Sequence, residues 1–444
     1  MQENYDVIII GAGAGGMMAA GRAAESGAKV LLLEKMDRPG KKILISGNGR
    51  CNLSNSMDME GFIGQFGING RFLYSAFNRF FRDELLALLK RYGTDCRTGP
   101  NGKIYPVSDN ARDVVRALTR YLEDTGVTVR YGAGITGIKA DNGRISGVET
   151  AAEIIPASAI IMATGGSSHP QTGSNGSGYN IAANLGHKII KLRPGLVPVI
   201  VNDTKKAKEM QGASLRHVRV TAFQCTAGDI DISLVPGADI GQRISDKRPK
   251  LPVIESRTGD AIITHFGLSG PVCLEMSLAM VDALENGPVS VSIDLWPDKD
   301  KAALQADLQQ AFDKRSNQIC QNAIRRFLPK KLIEPVIAMA GVAPGKLSNQ
   351  ITAKERESLV NQMKSLRFDI KGAYNMDTAM VTAGGVSLKE VDPRTMASKL
   401  VEGLYFCGEI LDLDAGTGGF NLQAAFSTGY MAGESIADRV VTKR

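Results

Sequence analysis

The chain has 444 residues, 43% of them apolar and 22% charged, with a formal charge of +7. That length exceeds one ordinary domain and supplies ample core, while no stretch approaches the roughly 18 uninterrupted apolar residues of a membrane span. The N-terminus enters its first strand without a basic segment or cleavage site, so a cytoplasmic protein with no membrane partner is expected.

Val7, Ile8, Ile9 and Ile10 form a β-branched run that predicts a buried parallel strand, ending at Gly11-Ala12-Gly13-Ala14-Gly15-Gly16. Small residues follow at helical spacing (Ala20, Ala24), Gly27 closes the helix, and Lys29 to Leu33 predicts a second strand ending at Glu34. The glycine spacing has a physical cause. Gly11 permits the tight turn, Gly13 lets a pyrophosphate approach the backbone, and Gly16 lets helix and strand pack closely. Phosphate would sit on the helix N-terminus, and Glu34 is placed to accept hydrogen bonds from a ribose.

Lys35 to Asn55 is dense in Gly, Asn and Ser and predicts a loop beside the ribose-binding strand tip. Phe72 to Arg91 interleaves aromatic and basic residues, which suits either an amphipathic helix with its aromatics in the core or contact with nucleic acid. Lys103 to Pro106 reads as extended, and Ser108 or Asp109 as the cap of a helix reaching Asp124. Short strands are expected at 127–132, 135–139, 145–150, 153–156 and 159–162, with a hairpin at Asp141-Asn142-Gly143. The last strand ends at Ala163-Thr164-Gly165-Gly166, before a second glycine-rich loop. A helix at 179–185 and a strand at 188–192 follow.

From 196 to about 296 many short alternating runs, Ile230 to Leu234 among them, predict an antiparallel sheet or barrel. Residues 302–366 look helical, interrupted by Pro329, Pro335 and Pro344, with Thr352 and Glu355 as a capping box. The style of the first domain then returns: a strand from Gly403 to Gly408-Glu409, then Gly416-Thr417-Gly418-Gly419-Phe420-Asn421 opening a helix from Leu422. Backbone N–H groups there suit a flavin ring, and Glu409 suits ribitol hydroxyls. The expected organisation is therefore an α/β chain. A Rossmann-type FAD-binding domain (1–195 and 369–444) is interrupted by a β-barrel-like subdomain (196–300) and a helical subdomain (301–368).

The six cysteines show no CxxC, and the four histidines no metal spacing, so no metal is expected. The charge is +6 over residues 1–195, +4 over 196–368 and −3 over the rest. Three basic clusters lie in the insertion: Lys205-Lys206-Ala207-Lys208, Arg243 with Lys247-Arg248-Pro249-Lys250, and Arg325-Arg326 with Lys330-Lys331. Each suits a solvated face or an anionic partner.

The first motif extends as GxGxxGxxxAxxxAxxGxxVxxxE, which resembles the FAD fingerprint of glutathione-reductase-like flavoproteins. Four blocks narrow the resemblance: Pro39 to Lys42 with Ser46 to Asn52, Ala163 to Gly166 with Thr172 to Ser174, Thr264 to Pro271, and Thr382 to Val386 with the Gly408 and Asn421 regions. Together they resemble the BaiN-like family of NAD(P)/FAD-dependent flavoproteins over essentially the whole chain. Asn175 and Ser177 depart from the Thr and Asp expected in the family's version of their loop.

The resemblance implies FAD as cofactor, with NAD(P)H visiting transiently as electron donor. Gly11, Gly13, Ala14, Gly15 and Gly16 would hold the pyrophosphate and Glu34 the adenosine ribose, with Ile135 on adenine through its backbone. Lys35, Gly40, Lys42, Ser46, Gly47, Asn48, Cys51 and Asn52 would border the flavin. Thr164 and Gly165 join the cofactor-binding set, and Gly408, Glu409, Gly418, Gly419, Asn421 and Leu422 would hold ribitol and pyrimidine. Family activities are reduction of a bile-acid enone, oxidation of aminoacetone and reduction of uridine in ribosomal RNA. The expected function is reduction of a C=C bond conjugated to a carbonyl, favouring a uridine of ribosomal RNA over a small-molecule enone. An amine oxidase using O₂ and a non-enzymatic RNA-binding flavoprotein are the alternatives. Such a reduction needs an acid near the α-carbon, and Cys51 (beside Arg50), His265 and Tyr105 are the candidates.

Overall fold

The computed structural model describes residues 5–230 and 252–442, in two compact units: residues 1–194 with 376–444, and residues 195–375. The expected strand from Ile230 to Leu234 and the cluster from Arg243 to Lys250 lie outside the described residues, apart from Ile230.

The first unit is built on a five-stranded parallel sheet in the order Leu404–Phe406, Ile160–Met162, Val7–Ile10, Val30–Leu33, Thr128–Arg130. Val7–Ile10 is central and buried throughout, which explains its unbroken apolar run. The chain's last strand joins on the far side, with Ile161 opposite Tyr405, so this sheet is completed only by residues some 240 positions downstream of its own neighbour. Antiparallel strands Ile135–Asp141, Arg144–Thr150 and Ile154–Pro156 form a separate three-stranded sheet.

Two helices pack against each other through small residues. The first, Ala14–Glu25, runs along Phe420–Val441. A Cβ on Gly429 would lie 2.3 Å from the Gly15 carbonyl oxygen, and one on Gly433 2.3 Å from that of Ala19. Only glycine lets the two backbones come this close. Arg22 and Arg79 both bind Glu434 and tie the helix pair from its side.

Three local expectations are corrected. The helix Ala111–Asp124 is capped by Asn110, whose Oδ1 accepts from Arg112 N at 3.0 Å, and not by Ser108 or Asp109. The aromatic and basic segment is not one helix; it breaks at Phe80-Phe81 between Tyr74–Arg79 and Arg82–Arg91. The break lets Phe62, Phe77, Phe81 and Phe420 meet mostly edge to face, while Phe80 stacks on Tyr430. These rings serve the core, while Tyr74 in the same segment stays exposed. Pro335 lies inside the helix Lys330–Met339 and does not interrupt it.

The second unit is a closed six-stranded antiparallel barrel in the order Val199–Val201, Gly267–Ser269, Val253–Ile263, Ser214–Phe223, Val289–Asp294, Leu366–Ala373. Helices Pro271–Ala283, Lys301–Lys314, Cys320–Ile324, Lys330–Met339 and Ala353–Lys364 share one apolar core with it. The expected capping box is present: Glu355 accepts from Thr352 N at 2.8 Å and Thr352 Oγ1 from Glu355 N at 3.2 Å. The boundary expected at 368 cuts through the strand that closes the barrel, and the first unit resumes at Met376. A barrel has no free edge, so its final strand must pair on both sides. Gly372 faces Ile200 and Asp369 faces Ser290.

Lys364 and Asp294 form a buried ion pair at 2.7 Å, their side chains 3% and 5% exposed. The ammonium also donates to the carbonyls of Trp296 and Lys299, so all three of its N–H groups are used.

Candidate active site

The glycines at the first strand-to-helix turn behave as their spacing requires. Gly11 has φ +103°, which favours glycine, and a Cβ on Gly16 would fall 1.8 Å from the Gly11 carbonyl oxygen. Gly13 differs: a Cβ there would meet nothing within 4 Å. The space over Gly13, at the N-terminus of the helix Ala14–Glu25, is therefore open while the packing around Gly11 and Gly16 is closed. Ala14, Gly15 and Gly16 begin the helix, with N–H groups that lack intrahelical partners.

Glu34 is 9% exposed and pinned by two backbone donors, Ala12 N at 2.7 Å to Oε2 and Met36 N at 2.9 Å to Oε1. A carboxylate offers about four lone-pair sites, so acceptors remain for a ribose diol. Beside it Lys35 Nζ donates to Asn175 Oδ1 at 2.7 Å, and burial lowers the Lys35 pKa against the pull of Glu34. Asn175 also accepts from Ser177 N at 3.2 Å, which sets up the helix Ser177–Asn184. The residue that departs from the family loop thus anchors that loop to Lys35, beside the strand tip at Glu34. Ile135 begins its strand, paired with Thr150.

The segment expected to be a loop holds a short helix, Lys41–Ile45, and turns repeatedly through left-handed backbone around it, at Gly40, Gly47, Asn48, Gly49 and Cys51. Gly40 N donates to Ala12 O at 2.8 Å, and Ser46 Oγ donates to Ile43 O at 2.7 Å. With its amide turned to satisfy both ends, Asn52 donates to Ser54 O at 3.1 Å and accepts from Gly419 N at 2.9 Å. Asn55 Nδ2 donates to Gly418 O at 3.1 Å, and a Cβ on Gly419 would lie 2.4 Å from Ser54 O. Asn421 closes its own loop, donating to Ala415 O at 2.7 Å and accepting from Ala415 N at 3.0 Å. Residues 46–55 and 415–421 thus form one fixed structure, with Leu422 half-buried in the first turn of the last helix.

Glu409 sits in a short turn after the strand Leu404–Phe406, where Gly408 N donates to Thr428 Oγ1 at 3.0 Å. Its carboxylate accepts from Lys42 Nζ at 2.6 Å, from Thr382 N at 3.0 Å and from Ser168 Oγ at 3.4 Å. Lys42 also donates to Ser168 Oγ at 2.8 Å, and Tyr179 OH donates to the Glu409 carbonyl at 3.1 Å. Thr382 lies on the strand Val381–Val386, which pairs with Ile189–Gly195. A Cβ on Gly166 would strike Thr382 Oγ1 at 2.4 Å and Glu409 Cδ at 2.9 Å, so this glycine makes room for the cluster. Sequence reading missed Ser168, Thr382 and Tyr179. The Thr382 to Val386 block signalled importance without a role.

Of the proposed acids, Cys51 and Tyr105 belong to the first unit and His265 to the second. Cys51 is wholly buried, and burial pushes its thiol up to about 12 despite a hydrogen bond with Ser46. Arg50 does not activate it; the guanidinium lies over the Tyr105 ring at 4.9 Å. The expectation of a thiol activated by Arg50 is therefore corrected: burial seals the thiol from solvent and keeps it protonated, and the guanidinium is turned to Tyr105. Tyr105 is 8% exposed on the strand Lys103–Pro106. His265 is exposed on the second unit, its ring edge-on to Phe266, which stacks on Tyr374 at 4.3 Å.

The residues of the first unit fit FAD. The open space over Gly13 suits a pyrophosphate, and the Thr164 hydroxyl is buried without a partner beside Gly165, at the carboxyl end of the sheet. Bound there, FAD would supply hydride transfer. Residues 5–435 match the family described as "HI0933-like protein Rossmann domain". The chain belongs to the HI0933-like family. Among its HI0933-like relatives, the "3-dehydro-bile acid delta(4,6)-reductase" of Clostridium scindens is 31% identical, over 97% of this chain and 98% of that one. The "Ribosomal RNA dihydrouridine synthase" of Escherichia coli K12 is 30% identical, over 98% of each. A solved structure, the 3-ketosteroid delta1-dehydrogenase of Sterolibacterium denitrificans, aligns with a TM-score of 0.49 at 12% identity, over 98% of this chain and 99% of that one. This HI0933-like protein is an FAD-dependent oxidoreductase. Among the described residues no helix is long and apolar enough to cross a membrane, and no group of three or more His, Cys, Asp or Glu is placed to hold a metal ion.

Proposed function

We propose that this flavoprotein uses NAD(P)H to reduce a C=C bond conjugated to a carbonyl, and that its substrate is a uridine in ribosomal RNA. The observation that carries this reading is the similarity, over 98% of the chain, to proteins named ribosomal RNA dihydrouridine synthase in two bacteria, Escherichia coli and Haemophilus influenzae. Forming dihydrouridine means adding hydride and a proton across the uracil C5=C6 bond, which is conjugated to the C4 carbonyl. FAD would carry the hydride. Of the three acids considered, His265 alone is exposed, and it is the proposed proton donor. The exposed Lys205, Lys208, Arg325, Lys330 and Lys331 support an anionic substrate through positive surface potential.

A second reading rests on the 31% identity to the bile-acid reductase, and it replaces uracil with a small-molecule enone. Deleting the gene in its source organism and quantifying dihydrouridine in ribosomal RNA by mass spectrometry separates the two. Loss of the modified base, restored by the wild-type gene and not by His265→Ala, is expected; unchanged dihydrouridine would favour the small enone. Anaerobic bleaching of the yellow protein by NADPH or NADH tests the electron donor.

A further inference from the structure

The barrel unit holds a cavity of about 540 Å³, within the range of about 300–1,000 Å³ usual for ligand sites. Its walls are preformed. Asp369 Oδ1 accepts from Ala227 N at 2.6 Å, Arg367 Nη1 donates to Ala227 O at 3.1 Å, and Arg367 Nε donates to Ser365 Oγ at 2.8 Å. Lys206 Nζ donates to Arg367 O at 2.8 Å and lies over the Phe368 ring at 4.9 Å. Burial lowers the Lys206 pKa, against the pull of Asp203 and Asp369. The charged groups of the cavity thus hold the wall and one another. Three carboxamides differ: Asn202, Asn361 and Gln362 line the same space, and their side chains have no hydrogen-bond partner among the described residues. An amide both donates and accepts and carries no charge, so these groups suit a neutral ligand with donors and acceptors along one edge. Free phosphate fits poorly, because Asp203 and Asp369 line the cavity too.

Lys205 and Lys208, on the helix Thr204–Glu209 that carries Lys206, are exposed. A neutral, amide-lined interior next to exposed cations suits a nucleotide, whose base is uncharged and whose phosphate is anionic. The cavity also has a fixed relation to His265. Asn202 N donates to Asp369 O at 2.9 Å, and Val201 N donates to Phe266 O at 3.0 Å. Two consecutive residues thus tie the cavity wall to the residue that follows His265. We propose that this cavity takes an unpaired nucleotide of the RNA, other than the uridine that is reduced, and that Asn202, Asn361 and Gln362 read its base edge while Lys205 and Lys208 meet the backbone phosphate. The proposal rests on RNA being the substrate. Hydride addition at C5=C6 is the same reaction for every uridine, so a pocket for a neighbouring base gives the enzyme a means of choosing one of them.

The test uses the full-length holoprotein and ribosomal RNA purified from the gene-deletion strain. Binding is measured by filter retention over a salt series, and dihydrouridine formation by mass spectrometry. Asn361→Ala with Gln362→Ala should weaken RNA binding by about 10- to 100-fold, the loss expected for missing base contacts, with the salt dependence unchanged. Lys205→Ala should weaken binding and also make the salt dependence shallower, by about one released ion. Urea unfolding checks the fold of each variant. If the double variant is insoluble, Asn202→Ala, at an exposed position, should show the same behaviour with a smaller loss. Carboxamide variants that bind as wild type does, where wild type binds the RNA and forms dihydrouridine, overturn the cavity assignment and leave the RNA reading standing. A loss that comes with a shallower salt dependence marks backbone contact alone and overturns it too. Wild-type protein that neither binds nor modifies this RNA overturns the RNA reading, and this proposal with it.

Discussion

Gly13→Ala should separate folding from cofactor binding. The Gly13 backbone, at φ −82° and ψ −169°, is open to any residue, and an added Cβ meets nothing within 4 Å. Two small effects then act on the flavin-free protein. Lower unfolded-state entropy stabilises by about 0.4–1 kcal/mol, and alanine is poorer than glycine at a helix N-cap by a comparable amount. They offset, so stability should move by less than about 0.5 kcal/mol. The methyl group, however, occupies the space into which a pyrophosphate must come to reach the helix N–H groups. Losing even one hydrogen bond to a charged phosphate costs about 1.5–3 kcal/mol, or about 10- to 150-fold in affinity. FAD and ADP should weaken together. Urea unfolding of the flavin-free protein and calorimetric titration with both ligands read the two effects. Wild-type affinity for ADP in Gly13→Ala would refute phosphate binding at this turn, and a large loss of stability would show that the space is not open.

Two further outcomes concern stability. Hydrogen bonds from Arg79 and then Arg22 hold Glu434 below the usual carboxylate range against its burial. Its stabilisation is therefore complete above the unfolded carboxylate value and is lost as pH falls through the depressed folded value. Wild type should lose more stability between about pH 5 and pH 3 than Glu434→Gln does, as measured by urea unfolding at each pH. An identical loss in both would remove Glu434 from the account. In the second unit, Lys364→Met leaves Asp294 buried without its cation and should cost about 3–5 kcal/mol, whereas Lys364→Met with Asp294→Leu should recover most of that. If the double variant is no more stable than the single one, the pair is not the source of the loss.

The strand, glycine turn, helix and acidic tip at the N-terminus were legible because each follows from local spacing, and Gly11, Gly16 and Glu34 stand where that spacing puts them. The alternation of Leu366, Phe368 and Ile370 with Arg367, Asp369 and Lys371 also carries a strand signal. It was overridden by the helical character of the residues before it, so the barrel's closing strand was divided between two domains. Cys51 misled because its neighbours in sequence are polar, while the fold buries the thiol and turns Arg50 onto Tyr105. The bond between Lys42 and Glu409 spans 367 residues. No periodicity or motif length reports a contact of that separation, and only the closing of the sheet brings it about.

The parallel sheet recruits Leu404–Phe406 after the whole second unit has been passed. During synthesis at about 5–20 residues per second, Ile160–Met162 would leave the ribosome some tens of seconds before its outer partner exists. For that interval the nascent chain carries an unpaired, wholly apolar strand edge, the kind of surface that invites misassembly or a chaperone. The barrel unit, contiguous in sequence, can finish in the meantime. Glu409, Gly418 and Gly419 are made only after the second unit, so FAD loading would follow synthesis of the barrel. A culture short of riboflavin would then accumulate a protein whose barrel is complete and whose first unit is without its flavin.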